Sequence, residues 1–265
     1  MKIYRVLTKA GETIVAGRLQ GEKLYRLSGS FPDFELTDEP VSVAQILQPL
    51  VPPAIYIVGF NYSDNLQKAR EEAGSYPVIV MKAASTVIAD GEAIELPIHL
   101  VSEEVDYEGE LAVIIGQAAK NVAREHANEY IMGYTVANDL TARDWQRQGA
   151  GGQWVRGKNF DTFCPLGPAI VTRDAVDLAK GLRLQTWVNG SLRQDDSTHS
   201  MIFPIDQIIE FLSGNNTLLP GTVILTGTPA GTGKQQSPPE YLKRGDVVRV
   251  EIEGIGVLEN PVHAP

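Results

Sequence analysis

Residues 105–116 read VDYEGELAVIIG, and the fold turns on this stretch. Aromatic and β-branched residues run through it and a glycine closes it, which predicts a β-strand. Side chains alternate faces along a strand, so Glu108 and Glu110 point the same way. At about 3.3 Å of rise per residue, their Cα atoms lie roughly 6.5–7 Å apart. Two carboxylates held side by side repel each other unless a proton or a cation intervenes. The surrounding residues are apolar and leave water little part in the screening. Hard divalent cations take oxygen ligands, so Glu108-Gly109-Glu110 reads as two thirds of a metal site. The bland alternative for a bare E-x-E is a solvent-facing edge strand.

Working outward, residues 131–137 form another strand candidate, leading into Asn138-Asp139-Leu140-Thr141-Ala142-Arg143-Asp144, with Asp139 at its end. Residues 148–158, QGAGGQWVRGK, are Gly-rich and read as a flexible loop that carries Lys158 at its far end. The GxxxxGK[ST] spacing of a phosphate loop is absent. Three carboxylates plus waters make an octahedral oxygen site suited to Mg²⁺ or Mn²⁺. No His cluster or Cys pair argues for zinc. A lysine beside such an ion neutralises a substrate carboxylate or a developing enolate.

Composition excludes several function classes. The chain has 265 residues, 43% hydrophobic and 21% charged, ordinary values for a globular protein with one large domain or a large one plus a small appendage. A net charge of −10 leaves no basic footprint for nucleic acid and disfavours an anionic membrane surface. The lone Cys164 excludes an intramolecular disulfide and points to a reducing compartment, the cytoplasm. No signal-peptide h-region and no 18-residue apolar run is seen.

The chain reads as α+β, mostly β. Residues 1–53 form a small β-rich N-terminal unit, with a short helix at 41–48 and a Pro-rich knot (Pro49, Pro52, Pro53) as the boundary. Residues 54–265 form the larger unit. A strand at 55–58 is followed by a polar helix at 61–73, loosely anchored and suited to a lid. Residues 119–130 read as another helix and 204–213 as an amphipathic one. Strands crowd the chain after residue 163, two of them joined by an Asn189-Gly190 type I′ hairpin.

With these segments in view, the chain resembles the fumarylacetoacetate hydrolase family. The matching segments include VGFNY at 58–62, VDYEGELAVIIG, ANDLTARDWQ at 137–146, GGQWVRGKNFDTFCPLGP at 151–168, LLPGTVILTGTPAGTG at 218–233 and LKRGDVVRVEIEGIGVLENPV at 242–262. They keep their order over about residues 55–262. The resemblance implies a mixed β-roll catalytic core with a small N-terminal domain, and a homodimer. It implies Mg²⁺ or Mn²⁺ held by Glu108, Glu110 and Asp139, and a small-molecule 2-oxo or 1,3-diketo acid as substrate. By position, Lys158, Arg143, Gln146, Thr162 and Thr228 look like groups facing the substrate, with Asn138, Asp144 and Gly227 supporting them. An Arg143–Asp144 ion pair is the structural reading of those two residues. Trp145, Trp154 and Cys164 read as packing residues, and His99, His126, His199 and His263 as surface ones. One departure matters. Hydrolytic and decarboxylating members usually carry a His, and a Glu three residues later, after the Asn-Tyr pair; here Asn65 and Lys68 stand there. Asn cannot act as a general base; Glu71 or Glu72 is the nearest substitute. The expectation is a divalent-metal enzyme working through a stabilised enolate, as an oxaloacetate-type tautomerase, decarboxylase or isomerase. The rivals are a C–C hydrolase of acylpyruvates and a non-catalytic metal-binding protein.

Overall fold

Strand Gly109–Ile115 lies between Ile131–Asn138 and Val223–Leu225, antiparallel to both, and all seven of its residues are buried. The edge-strand alternative for Glu108 and Glu110 is thereby excluded. Leu111, Val113 and Ile115 face one core with Leu184, Val250 and Ile252, while Ala112 and Ile114 face a second core with Ile57, Leu166 and Ile170. Fully burying each of the larger side chains contributes about 1.5–3 kcal/mol. Covered on both faces, the strand therefore reads as a nearly unbroken apolar run once the glutamates are passed.

The computed structural model describes residues 1–18, 21, 23–63, 66–72 and 74–264. Its larger sheet has the spatial order Asp33–Pro40, Tyr25–Ser30, Thr13–Arg18, Lys2–Thr8, Cys164–Thr172, Ile131–Asn138, Gly109–Ile115, Val223–Leu225, Ile55–Gly59, Val78–Lys82. Pairing is antiparallel along this path except between Val223–Leu225 and Ile55–Gly59, which run parallel. A smaller sheet, Ser191–Ser197, Arg183–Val188, Val247–Ile252, Gly256–His263 and Ile94–Glu95, packs against the first core. The chain is mostly β, as expected. At the first strand, Lys2 pairs with Val171 and Ile3 with Ile170, so the N-terminal strands continue the larger sheet. The Asn189-Gly190 turn joins its two strands with φ of 52° and 76°, the positive pair a type I′ turn requires.

Local expectations fail where other segments claim the backbone. Residues 41–48 are not helical: Val43–Leu47 is a strand on Lys2–Thr8, with Val41, Val43 and Ile46 packed on Tyr4 and Val6. Within 119–130 only Arg124–Tyr130 is helical, and it is a 3₁₀-helix. Ala119 exchanges backbone bonds with Leu218 and Asn121 takes a left-handed φ of 50°, so a helix cannot start earlier. The lid helix is short, Leu66–Glu72, and buries no residue; Asp64, Asn65 and Ala73 of that expectation lie outside the described residues. The Gly-rich loop ends in a helix, Trp154–Lys158, rather than in flexible chain. Helix Ile205–Ser213 forms as read, with Ile208, Ile209 and Leu212 buried.

Candidate active site

The carboxylates meet where the two central strands end. Gly109 pairs with Asn138 and Glu110 with Ala137, so Asp139 emerges beside Glu108, and its N–H donates to Glu108 O at 2.8 Å. Asn138 Oδ1 accepts the Glu108 N–H at 3.0 Å and closes the junction. Gly109 is required for close approach: a Cβ there would lie 2.2 Å from Thr186 Oγ1 of the smaller sheet. Ligand oxygens of Glu108, Glu110 and Asp139 all lie within 4.8 Å of one another.

Every buried charged residue among those described belongs to this region: Asp106, Glu108, Glu110, Asp139, Lys82, Arg143 and Lys158. Arg143 Nε donates to Asp106 Oδ2 at 2.8 Å and its Nη2 to Glu108 Oε1 at 2.6 Å. Lys158 Nζ donates to Glu108 Oε2 at 2.7 Å, to Thr141 Oγ1 at 2.8 Å, and to Asp139 Oδ2. Lys82 Nζ donates to Leu140 O at 2.9 Å and Lys158 O at 2.6 Å. It also lies 2.7 Å from Asp139 Oδ1, an ion pair whose angle is not that of a hydrogen bond, so Oδ1 accepts none. Four carboxylates thus face three cations, and one negative charge is left over.

Glu110 is the one of the four carboxylates with no ion pair among the described residues. Its one hydrogen bond comes from the Gly227 N–H, 2.7 Å from Oε2, on a residue whose φ of +97° suits glycine. Burial first, then the charges of Asp139 and Glu108, push the Glu110 carboxyl well above its ordinary range. Burial would raise Glu108 too, but Arg143 and Lys158 overcome it and hold that carboxyl far below the usual range. Burial likewise works against Lys158, but the charges of Asp139 and Glu108 prevail and keep it protonated well past neutrality. A buried carboxylate without a counter-charge, in a set of hard oxygen donors, fits a divalent cation held by Glu108, Glu110 and Asp139. The Lys158 ammonium, a cation already bound to two of the three, shows that the cluster accepts positive charge.

The cluster floors a cavity of about 300 Å³. Arg143, Gln146, Lys158 and Thr228 all line it, whereas Thr162 does not and instead accepts the Glu95 N–H at 2.9 Å. Gln146 Oε1 accepts from Arg143 at 3.4 Å, leaving its amide N–H groups without a partner among the described residues. The Thr228 hydroxyl donates to Gly109 O and accepts from Gln194 Nε2, which ties loop to strand. Asp144 does not pair with Arg143; it accepts from Ser102 Oγ and from the Glu103 and Trp145 N–H groups. Trp154 is more than packing, since it lines the cavity with Phe60, their rings 5.5 Å apart and edge to face. Cys164 is a buried core residue whose thiol burial pushes up to about 12. All four histidines are exposed. Asn65 lies outside the described residues, Lys68 pairs with Glu72 at 3.7 Å, and no residue of Leu66–Glu72 lines the cavity.

Three buried residues of the network escaped the sequence reading. Asp106 was legible, because it shares the face of Glu108 and Glu110 by the same alternation. Lys82 is a lysine closing an apolar strand, VIVMK, a weak signal of a buried charge. Gln194, which accepts the Gly109 N–H at 3.0 Å, gave none.

Comparison with known proteins agrees with this architecture. The family model for the fumarylacetoacetate (FAA) hydrolase C-terminal domain matches residues 54–263. A mitochondrial oxaloacetate tautomerase of Xenopus laevis is 44% identical over 218 residues, 82% of this chain and 68% of that protein. A fumarylacetoacetate hydrolase from the psychrophile Exiguobacterium antarcticum superposes with a TM-score of 0.88 at 37% identity, over 100% of both chains. A 5-carboxymethyl-2-hydroxymuconate delta-isomerase from Mycobacterium smegmatis does so with a TM-score of 0.87 at 36% identity, also over 100% of both. With the family model covering both central strands and every residue of the acidic cluster, the chain belongs to the fumarylacetoacetate hydrolase family and is an enzyme of that family.

Proposed function

We propose that this enzyme tautomerises a small 2-oxo acid of the oxaloacetate type, moving a proton between C3 and the 2-oxo oxygen. One observation carries the reading: a buried cluster with one carboxylate more than it has buried cations floors a cavity of about 300 Å³ whose described lining holds no histidine. A bound Mg²⁺ or Mn²⁺ on Glu108, Glu110 and Asp139 would supply Lewis acidity toward the substrate oxygens and balance that charge. Arg143, fixed by Asp106, holds Glu108 in place. Lys158 stays protonated, so it serves as a positive partner for charge developing on the 2-oxo oxygen and not as a base. The free amide N–H groups of Gln146 are donors to the same oxygen. One proton leaves C3 and one arrives at oxygen, so the reaction needs no water nucleophile and no redox partner.

The similarity to the Xenopus oxaloacetate tautomerase supports this reading, and the likeness to the Exiguobacterium hydrolase favours a second, C–C cleavage of acylpyruvates. Cleavage also needs a positioned, deprotonated water, and general-base help is typically worth about 10²–10⁴-fold. The test strips the protein with a chelator, restores Mg²⁺ or Mn²⁺, and follows enol absorbance with oxaloacetate and with an acylpyruvate. Metal-dependent interconversion of oxaloacetate, with cleavage at least tenfold slower, is expected. Faster cleavage gives the second reading the site, and silence on oxaloacetate sinks the first. A homodimer, and a division near residue 53 into N-terminal and catalytic units, belong to the same proposal. Sedimentation mass and limited proteolysis check them.

A further inference from the structure

Three cations line the cavity, and they are not equally engaged. Lys158 is shared among Glu108, Asp139 and Thr141, and Arg143 between Asp106 and Glu108. Lys234 lines the same cavity, and its ammonium has no hydrogen bond or ion pair among the described residues.

The backbone of Lys234 is nonetheless fixed to the acidic floor. Gly233 N–H donates to Asp106 Oδ1 at 2.6 Å and Lys234 N–H to Asp106 Oδ2 at 3.2 Å. Asp106 also binds Arg143, which binds Glu108, so five residues form one relay from rim to floor. Thr232 and Gln235 brace the same turn by capping each other. The Gln235 carboxamide oxygen is used up there, accepting from Gly231 N, Thr232 N and Thr232 Oγ1. Lys234 is thus a free charge on a braced turn. Partial burial, then the charge of Arg143, lower its pKa against the opposing pull of Glu108 and Asp106, so it stands within electrostatic reach of the floor without bonding to it.

We infer that the Lys234 ammonium receives the second, remote carboxylate of a dicarboxylate whose 2-oxo acid end faces the acidic floor. The inference rests on the reading of the cavity as a 2-oxo acid site and names the substrate class within it. An uncharged tail at this point would partly desolvate the ammonium without giving it a partner. A carboxylate tail supplies a charge-assisted bond. Selection between the two is therefore built into one side chain.

Malate and lactate share a 2-hydroxy acid head and differ in the remote carboxylate. Neither carries the 2-oxo group, so their binding is readable whether or not oxaloacetate is turned over. Calorimetric titration of the Mn²⁺-loaded protein should show malate binding about tenfold tighter than lactate, the order expected of one partly exposed charge-assisted bond. Lys234→Gln should bring malate down to the lactate value and leave lactate within about twofold. Lys234→Arg should keep most of the preference, which a purely structural role for the side chain would not predict. The inference falls if the parent binds both ligands alike or binds neither. It falls equally if Lys234→Gln retains the preference, or weakens both ligands by the same factor. Loss of oxaloacetate turnover with the malate preference intact would count against the proposed reaction and not against Lys234.

Discussion

The floor and the rim of the cavity are built in opposite ways. On the floor, Glu108, Glu110 and Asp139 sit at the ends of two fully buried strands, and Glu108 has three side-chain donors, Arg143, Lys158 and Thr141. On the rim, Phe60 is 67% exposed, the Lys234 ammonium has no hydrogen bond or ion pair among the described residues, and the supporting pieces are single turns such as Gly233–Gln235. A desolvated, mutually satisfied network is all-or-none, because removing one member strands its partners. An exposed rim residue acts alone, and its loss is graded. On the proposed reading the difference is a division of labour: reaction chemistry is held on buried, paired strands, and substrate choice is left where side chains can change cheaply.

The largest effects should therefore come from the floor, and they should differ within it. Glu108→Ala, Glu110→Ala and Asp139→Ala are each expected to abolish Mn²⁺ binding by calorimetry and turnover of oxaloacetate. Stability should separate them. Glu108→Ala deprives both Arg143 and Lys158 of a buried partner and should cost about 3–5 kcal/mol in denaturant unfolding. Glu110→Ala removes the carboxylate that has no cation and should cost far less in metal-free buffer. Equal losses in the two variants would show that the charge surplus is not localised on Glu110.

Lys158→Met tests the floor from the other side. Removing one group that faces a developing oxyanion typically costs on the order of 10²–10³ in kcat. The same ammonium holds Glu108 and Asp139, but a bound cation would meet those two carboxylates in its place, so its loss should leave Mn²⁺ affinity within a few-fold of the parent. Unchanged kcat would place Lys158 outside the chemistry, and lost Mn²⁺ binding would make it a structural clamp.

The same division explains what the sequence could tell. Strand alternation and polarity put Glu108 and Glu110 on one face, and Asp139 followed a strand end, because floor residues obey backbone periodicity. The positions of Gln146 and Thr228 in the cavity followed only from matched segments. Gln194 and Lys82 reach the site from strands distant in sequence, and no local pattern encodes such a meeting. Secondary structure failed at 41–48 and 119–123 for a related reason: long-range backbone bonds outbid local propensity. Lys234 was not singled out, since a charge without a partner has no sequence signature.

The segment after Asn61-Tyr62 offers a smaller effect. Asn65→His combined with Lys68→Glu installs the dyad that hydrolytic relatives carry. Acylpyruvate cleavage should rise by tens of times, short of the roughly 10²–10⁴ that a fully positioned general base supplies. Oxaloacetate tautomerisation should change far less. Fast cleavage by the parent would mean that another group already activates water, with Glu71 and Glu72 the first to examine.

The smallest expected effect is a slope in stability against pH, and it isolates Glu110. Its carboxyl is raised above the ordinary value of 4.5 by burial and by Asp139 and Glu108, so the folded, metal-free protein binds a proton there that the unfolded chain releases. Between the ordinary and the raised value the folded state holds more protons, so stability falls as pH rises through that window. Glu108 acts oppositely: its carboxyl is lowered, so its contribution is present above the ordinary value and is lost only in stronger acid. Asp90, Asp106 and His126 are raised as well, so the part of the slope that belongs to Glu110 is the difference between the parent and a variant that cannot titrate there. Glu110→Gln keeps the shape and cannot titrate. In chelator at pH 8 the variant should melt above the parent, the gap closing toward pH 5. Adding Mg²⁺ should raise the parent and leave the variant where it was, because the cation takes the place of the proton on a carboxylate the variant lacks. Melting curves that run parallel across this range would show that Glu110 is already balanced by a charge on the floor, and the case for a cation at that position would lose its electrostatic ground.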